Sequence, residues 1–143
     1  MKRQHFLLLA GLLACFVGFS LIAAPGQMLG NITTIPDAEG ATTVMRWMGT
    51  GLVAIGCINI LAKNDPGSPA LHAIIVGNIT LHVIAEVLDL IDYRSGIVKS
   101  SGVVMGTVVH VGLILGFIYY SRGSGHPSGA QAPGGSAGGS PVS

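Results

Sequence analysis

Charge is scarce in this sequence: seven Lys or Arg and six Asp or Glu in 143 residues, a formal net charge of +1. A surface facing water on all sides needs more charge than that, and a phosphate-binding face would need clustered basic residues, so nucleic acid is excluded as a partner. Cysteine is limited to Cys15 and Cys57, with no C-x-x-C spacing. A zinc site or disulfide framework is therefore not expected, and the two are read as small packing residues at different depths. There is no Ser-His-Asp arrangement, no HExxH and no phosphate loop, so no catalytic residue is assigned. Aromatic residues make up 6%, and Trp47, Tyr93, Tyr119 and Tyr120 fall near the ends of apolar stretches, as interfacial anchors would.

What is abundant is apolar length. Half the residues are hydrophobic and the mean hydropathy is +0.67. Four stretches, residues 6–24, 44–62, 70–91 and 103–120, each have the ~20 residues that a membrane-crossing helix requires. The expected fold is all-α, an integral membrane bundle of four transmembrane helices running up-down-up-down over residues 1–122. Residues 123–143, mostly Gly, Ser and Pro, are expected to form a disordered cytoplasmic tail.

The start of the chain has a second reading. Lys2 and Arg3 precede an apolar run, as in a secretory signal, and Leu12 to Cys15 resembles a lipobox. The run continues to Ala24, longer than a signal core, so retention as the first span is expected. Four spans put both termini on one side, with Lys2, Arg3, Lys63 and Arg122. The other side carries Arg94 and Lys99, Arg46 near its boundary, and Asp37 and Glu39. The positive-inside rule then gives an N-in, C-in protein of a bacterial inner membrane.

Residues 25–43 read as an external loop and 63–69 as a tight turn, whose prolines end the second stretch and open the third. The short turn predicts that the second and third helices are antiparallel and in contact. Gly102-x3-Gly106 and Gly112-x3-Gly116 in the fourth stretch, with Gly49, Gly51 and Gly56 in the second, offer small faces for close helix packing. The same spacing would serve a homo-oligomer.

Polar side chains inside the apolar stretches carry the functional signal, because an ionisable group there costs several kcal/mol unless paired, hydrated or neutral. Asn78, His82, Glu86 and Asp89 are spaced four, four and three apart and form one stripe on the third helix. Thr107 and His110 share a face of the fourth. At ~1.5 Å per residue, His82 and His110 both lie on the order of 10–14 Å below the same boundary, so the two can meet. They are the candidate cofactor-binding pair, for haem b or a quinone head, and equally a proton relay. The plainer alternative is two neutral imidazoles holding the bundle in register. No metal site is assigned. Arg46 shares a depth band with Glu86 and Asp89, and a salt bridge among them is expected.

Arg46-x2-Gly49 with Gly56, Leu61-Ala-Lys-Asn64, Ala73 to Asn78 with His82, Gly96-Ile-Val98 and Val109 to Tyr119 give residues 6–120 a pattern that resembles a group of small bacterial four-helix inner-membrane proteins. The resemblance implies the architecture and brings no residue role with it. The acidic third helix and the Gly/Ser tail depart from that pattern. The function expected first is a non-enzymatic component or accessory subunit of a membrane complex. The alternatives are a haem- or quinone-linked electron-transfer protein using His82 and His110, and a small proton-coupled transporter using Glu86 and Asp89.

Overall fold

A computed structural model describes residues 1–34 and 39–122; the expected tail (123–143), Asp37 and the Glu39 side chain lie outside the described residues. Among the described residues the regular elements are five helices: α1 (Arg3–Ala23), α2 (Pro25–Ile32), α3 (Glu39–Ala62), α4 (Pro69–Arg94) and α5 (Ser100–Ser121). α1, α3, α4 and α5 are long and apolar enough to cross a membrane.

α2 is a correction to the loop expected at 25–43. Pro25 takes the first helical position, where its missing N–H costs nothing, and Leu29 and Pro25 are buried beneath the turn. The helix ends where Thr33 becomes extended and bridges Val98. α4 has defined signals at both ends. The Ser68 hydroxyl accepts from Leu71 N–H at 3.1 Å, Pro69 follows, and Arg94 sits in the last turn. Beyond Ser95, Gly96 adopts φ +74°, with Gly96 N–H donating to the Tyr93 carbonyl and Ile97 N–H to that of Asp92. This is a Schellman stop, and it demands a residue tolerant of positive φ.

Two helix pairs make up the body. α1 lies against α3, and α4 against α5, while α3 and α4 meet at few points. That last feature corrects the close contact expected across the 63–69 turn. The reason is in the glycines. Gly11 and Gly18 on α1 oppose Gly56 and Gly49 on α3: a methyl group added to Gly11 would stand 2.7 Å from the Gly56 carbonyl oxygen, and one added to Gly18 would stand 2.6 Å from that of Gly49. Seven-residue spacing on both antiparallel helices lets their backbones touch twice, so α3 spends its small face on α1. The α3–α4 side instead carries Ile55, Ile58, Ile74, Leu81 and Ile84, which hold the helices apart around a groove of about 420 Å³. Gly51 and Gly112 face open space. Gly102 meets the Ile32 carbonyl, Gly106 meets Asp89, and Gly116 abuts the Phe6 ring.

Hydrogen bonds identify two ends. At one, Arg3 donates to the Asp65 carbonyl and the Tyr120 hydroxyl donates to the Met1 carbonyl at 2.6 Å. At the other, Thr34 N–H donates to Ile97 and Lys99 N–H to Ile32, at 2.8 and 2.9 Å. The tightest apolar core, Phe6, Leu7, Ala10, Leu71, Ile75 and Phe117, lies toward the first end. There the Phe6 ring meets Phe117 edge-on at 4.9 Å and stacks on Tyr120 at 5.1 Å.

Gly18→Leu or Gly49→Leu should destabilise the protein by about 2 kcal/mol or more, as overpacking at a closed backbone contact does. Gly51→Leu and Gly112→Leu, which meet open space, should cost nothing in packing and gain slightly in helix propensity. Thermal unfolding in mild detergent checks the contrast, and equal losses at all four positions would refute the α1–α3 packing.

Candidate functional site

The polar stripe on α4 divides between two neighbours. Its first member, Asn78, turns toward α3. Asn59 donates an amide hydrogen to Asn78 and Asn78 donates one back, each at 3.0 Å, and Asn78 also donates to the Ile74 carbonyl at 2.8 Å. Both amides are buried. The reciprocal pair spends the strongest donors and acceptors of each amide on the other, and it ties together two helices that otherwise diverge. Asn59 was not singled out in the sequence, although an amide midway along an apolar stretch is itself the signal, since it must find a partner.

Lower members of the stripe face α5. The Nδ1 atoms of His82 and His110 are 2.9 Å apart, with ring centroids at 5.1 Å and planes inclined at 42°. At that distance one nitrogen carries the hydrogen and the other accepts it. The far nitrogen of His110, Nε2, lies 3.7 Å from Asp89 Oδ2. Beside this line, the Thr107 hydroxyl donates to Glu86 Oε1 at 2.8 Å. The other oxygen, Glu86 Oε2, is buried and has no hydrogen-bond partner among the described residues. Gly106 is what allows Asp89 in, because a methyl group there would stand 2.6 Å from Oδ2. On its other side the His82 ring stacks near Phe117, centroids 6.3 Å apart, so the cluster is closed toward the Phe6–Phe117 core.

Helical rise puts the two histidines level, and the structure sets their rings in contact. The structure does not bring Arg46 to the carboxylates. It is exposed on α3, and the ion pair of the carboxylate stripe is His110–Asp89. The expected salt bridge is thus corrected: Glu86 and Asp89 point at α5, which supplies Thr107 and His110, while α3 stands off from α4 at that level. The two cysteines are also nearer than expected. Cys15 Sγ lies over the Gly56 backbone, donates to the Val53 carbonyl at 3.8 Å and neighbours the Cys57 thiol; both are free.

A haem iron between two histidines would hold nitrogens on the order of 4 Å apart on opposite sides, twice a metal–nitrogen bond of about 2 Å. Ring nitrogens in direct contact do not fit that arrangement. Among the described residues no three His, Cys, Asp or Glu side chains gather as a metal site. What the arrangement does fit is proton transfer along imidazole–imidazole–carboxylate. No family model matches the sequence, and neither a curated protein nor a solved structure matches it.

Replacing either amide alone, Asn59→Leu or Asn78→Leu, should destabilise the protein by about 1–2 kcal/mol, because the remaining amide stays buried and unpaired. The double substitution should recover part of that loss. A double-mutant cycle from thermal unfolding measures it, and strictly additive losses would contradict the pairing.

Proposed function

We propose that the chain spans a bacterial inner membrane as an up-down-up-down bundle with both termini inside, and serves there as a non-enzymatic, proton-relaying component of a membrane complex. Two features support the bilayer. Phe16, Trp47, Leu61, Met105, Val108 and Leu115 point outward and are mostly exposed, a surface that hydrocarbon accepts and water does not. Lys2, Arg3 and Lys63 gather at the end marked by Met1 and Asp65, which the positive-inside rule assigns to the cytoplasm.

The observation that carries the relay is the 2.9 Å contact between the Nδ1 atoms of His82 and His110, with Asp89 behind the second ring. With both rings neutral, His82 Nδ1–H donates to His110 Nδ1, and His110 Nε2–H points at Asp89. A proton arriving at His82 Nε2 lets the Nδ1 hydrogen cross to His110. The His110 Nε2 hydrogen can then pass to the carboxylate. One proton enters and one is delivered, the imidazole–imidazole hydrogen bond is kept, and the 3.7 Å gap to Asp89 has to shorten for the last transfer.

Asp89 lies within two helical turns of the α4 terminus, so exchange with the external side is short. The opposite route is blocked by Phe117 and Phe6, both buried. Four helices closed in this way relay a proton to or from a partner rather than conduct it alone, which favours a subunit of a larger assembly or a homo-oligomer over a free-standing transporter. The electron-transfer alternative has no such support in the ring geometry.

Histidine-selective ¹⁵N NMR in lipid nanodiscs tests the reading. His110→Gln should shift the tautomer of His82 while leaving the His5 and His72 signals unchanged. A His82 signal unmoved by His110→Gln would overturn the relay. A haem band in the reduced-minus-oxidised spectrum, lost in both His82→Ala and His110→Ala, would replace it with a cytochrome.

A further inference from the structure

A second polar site lies at the Met1 end. Lys2, Arg3 and Gln4 at the start of α1 and Lys63, Asn64 and Asp65 in the α3–α4 turn line a depression of about 300 Å³. Three cations surround one carboxylate, and that carboxylate is already engaged. Asp65 Oδ1 accepts from the N–H groups of Gly67 and Ser68 at 2.8 Å each, and Oδ2 accepts from the Ser68 hydroxyl at 2.7 Å. Those bonds, the Gly67 N–H foremost, hold the Asp65 carboxyl below the usual carboxylate range, with Arg3 assisting. Asp65 is therefore an ionised brace of the turn, and its folding contribution is present at neutral pH and fades as pH falls through its lowered pKa. The Arg3 guanidinium, donating to the Asp65 carbonyl, fastens α1 to the turn. Among the described residues no carboxylate lies within ion-pair distance of Lys2 or Lys63.

We propose that this depression binds a phosphate group, with Lys2 and Lys63 supplying the charge and Gln4 and Asn64 further donors. The sign of the charge selects an anion. Flexible ammonium groups on two converging walls suit the several oxygens of a phosphate better than a single carboxylate. The position selects the source to test first. It sits where α1 leaves the apolar region and the α3–α4 turn begins, which is headgroup level if the helices span a bilayer, and anionic phospholipid is concentrated at cytoplasmic surfaces. The proposal rests on the bilayer-spanning reading.

The test is the thermal midpoint of delipidated protein in neutral detergent, with added short-chain phosphatidylglycerol, phosphatidylcholine or inorganic phosphate. Phosphatidylglycerol should raise the midpoint by about 4 °C over phosphatidylcholine. The rise should vanish in the Lys2→Gln/Lys63→Gln double variant and persist in Arg94→Gln at the other end. In wild type it should also shrink in high salt, a readout that needs no variant. An equal rise with inorganic phosphate assigns the site to a soluble phosphate, and a rise with the lipid alone assigns it to the headgroup. No rise with either anion, or a rise that the double variant keeps, overturns the proposal. Release of the protein from membranes by alkaline carbonate would instead overturn the bilayer-spanning reading, independently of the midpoints.

Discussion

A polar side chain inside an apolar helix has to be answered by another helix, and the arrangement of α3, α4 and α5 follows from how those answers are distributed. Asn78 is answered by Asn59 on α3. His82 and Asp89 are answered by His110, and Glu86 by Thr107, all on α5. The amide and the ionisable groups of one stripe thus pull α4 toward different neighbours. The groups that can titrate are gathered into a single interface.

The other half of the body obeys a different constraint. α1 and α3 have few polar groups to exchange, so their association depends on close approach, which the Gly11–Gly56 and Gly18–Gly49 pairs permit. Dispersion contacts between backbones then do what hydrogen bonds do between α4 and α5. The two pairs are joined at the Asn59–Asn78 amides, at the Phe6–Phe117 core, and at both helix ends.

Apolar length made four of the five helices legible in the sequence, and helical periodicity with rise per residue made the level of His82 and His110 legible. Three features were not. α2 lay hidden in a Gly- and Pro-rich segment, because eight residues are too few for a periodic signal and burial of Leu29 depends on its neighbours. The α1–α3 contact depended on Gly11 and Gly18, and a lone glycine on one helix says nothing until its partner is known. The Arg46 salt bridge was inferred from depth alone. Depth fixes one coordinate, while the direction in which α4 turns its carboxylates is set by Thr107 and His110.

The central claim is a direct hydrogen bond between two imidazoles within the bundle. Uniformly ¹⁵N-labelled protein in lipid bilayers permits a measurement of scalar coupling between His82 Nδ1 and His110 Nδ1 through the shared hydrogen. The account predicts a resolved nitrogen–nitrogen coupling that disappears in His110→Gln. Two sharp histidine signals with no coupling between them, in protein shown to be folded, would contradict it.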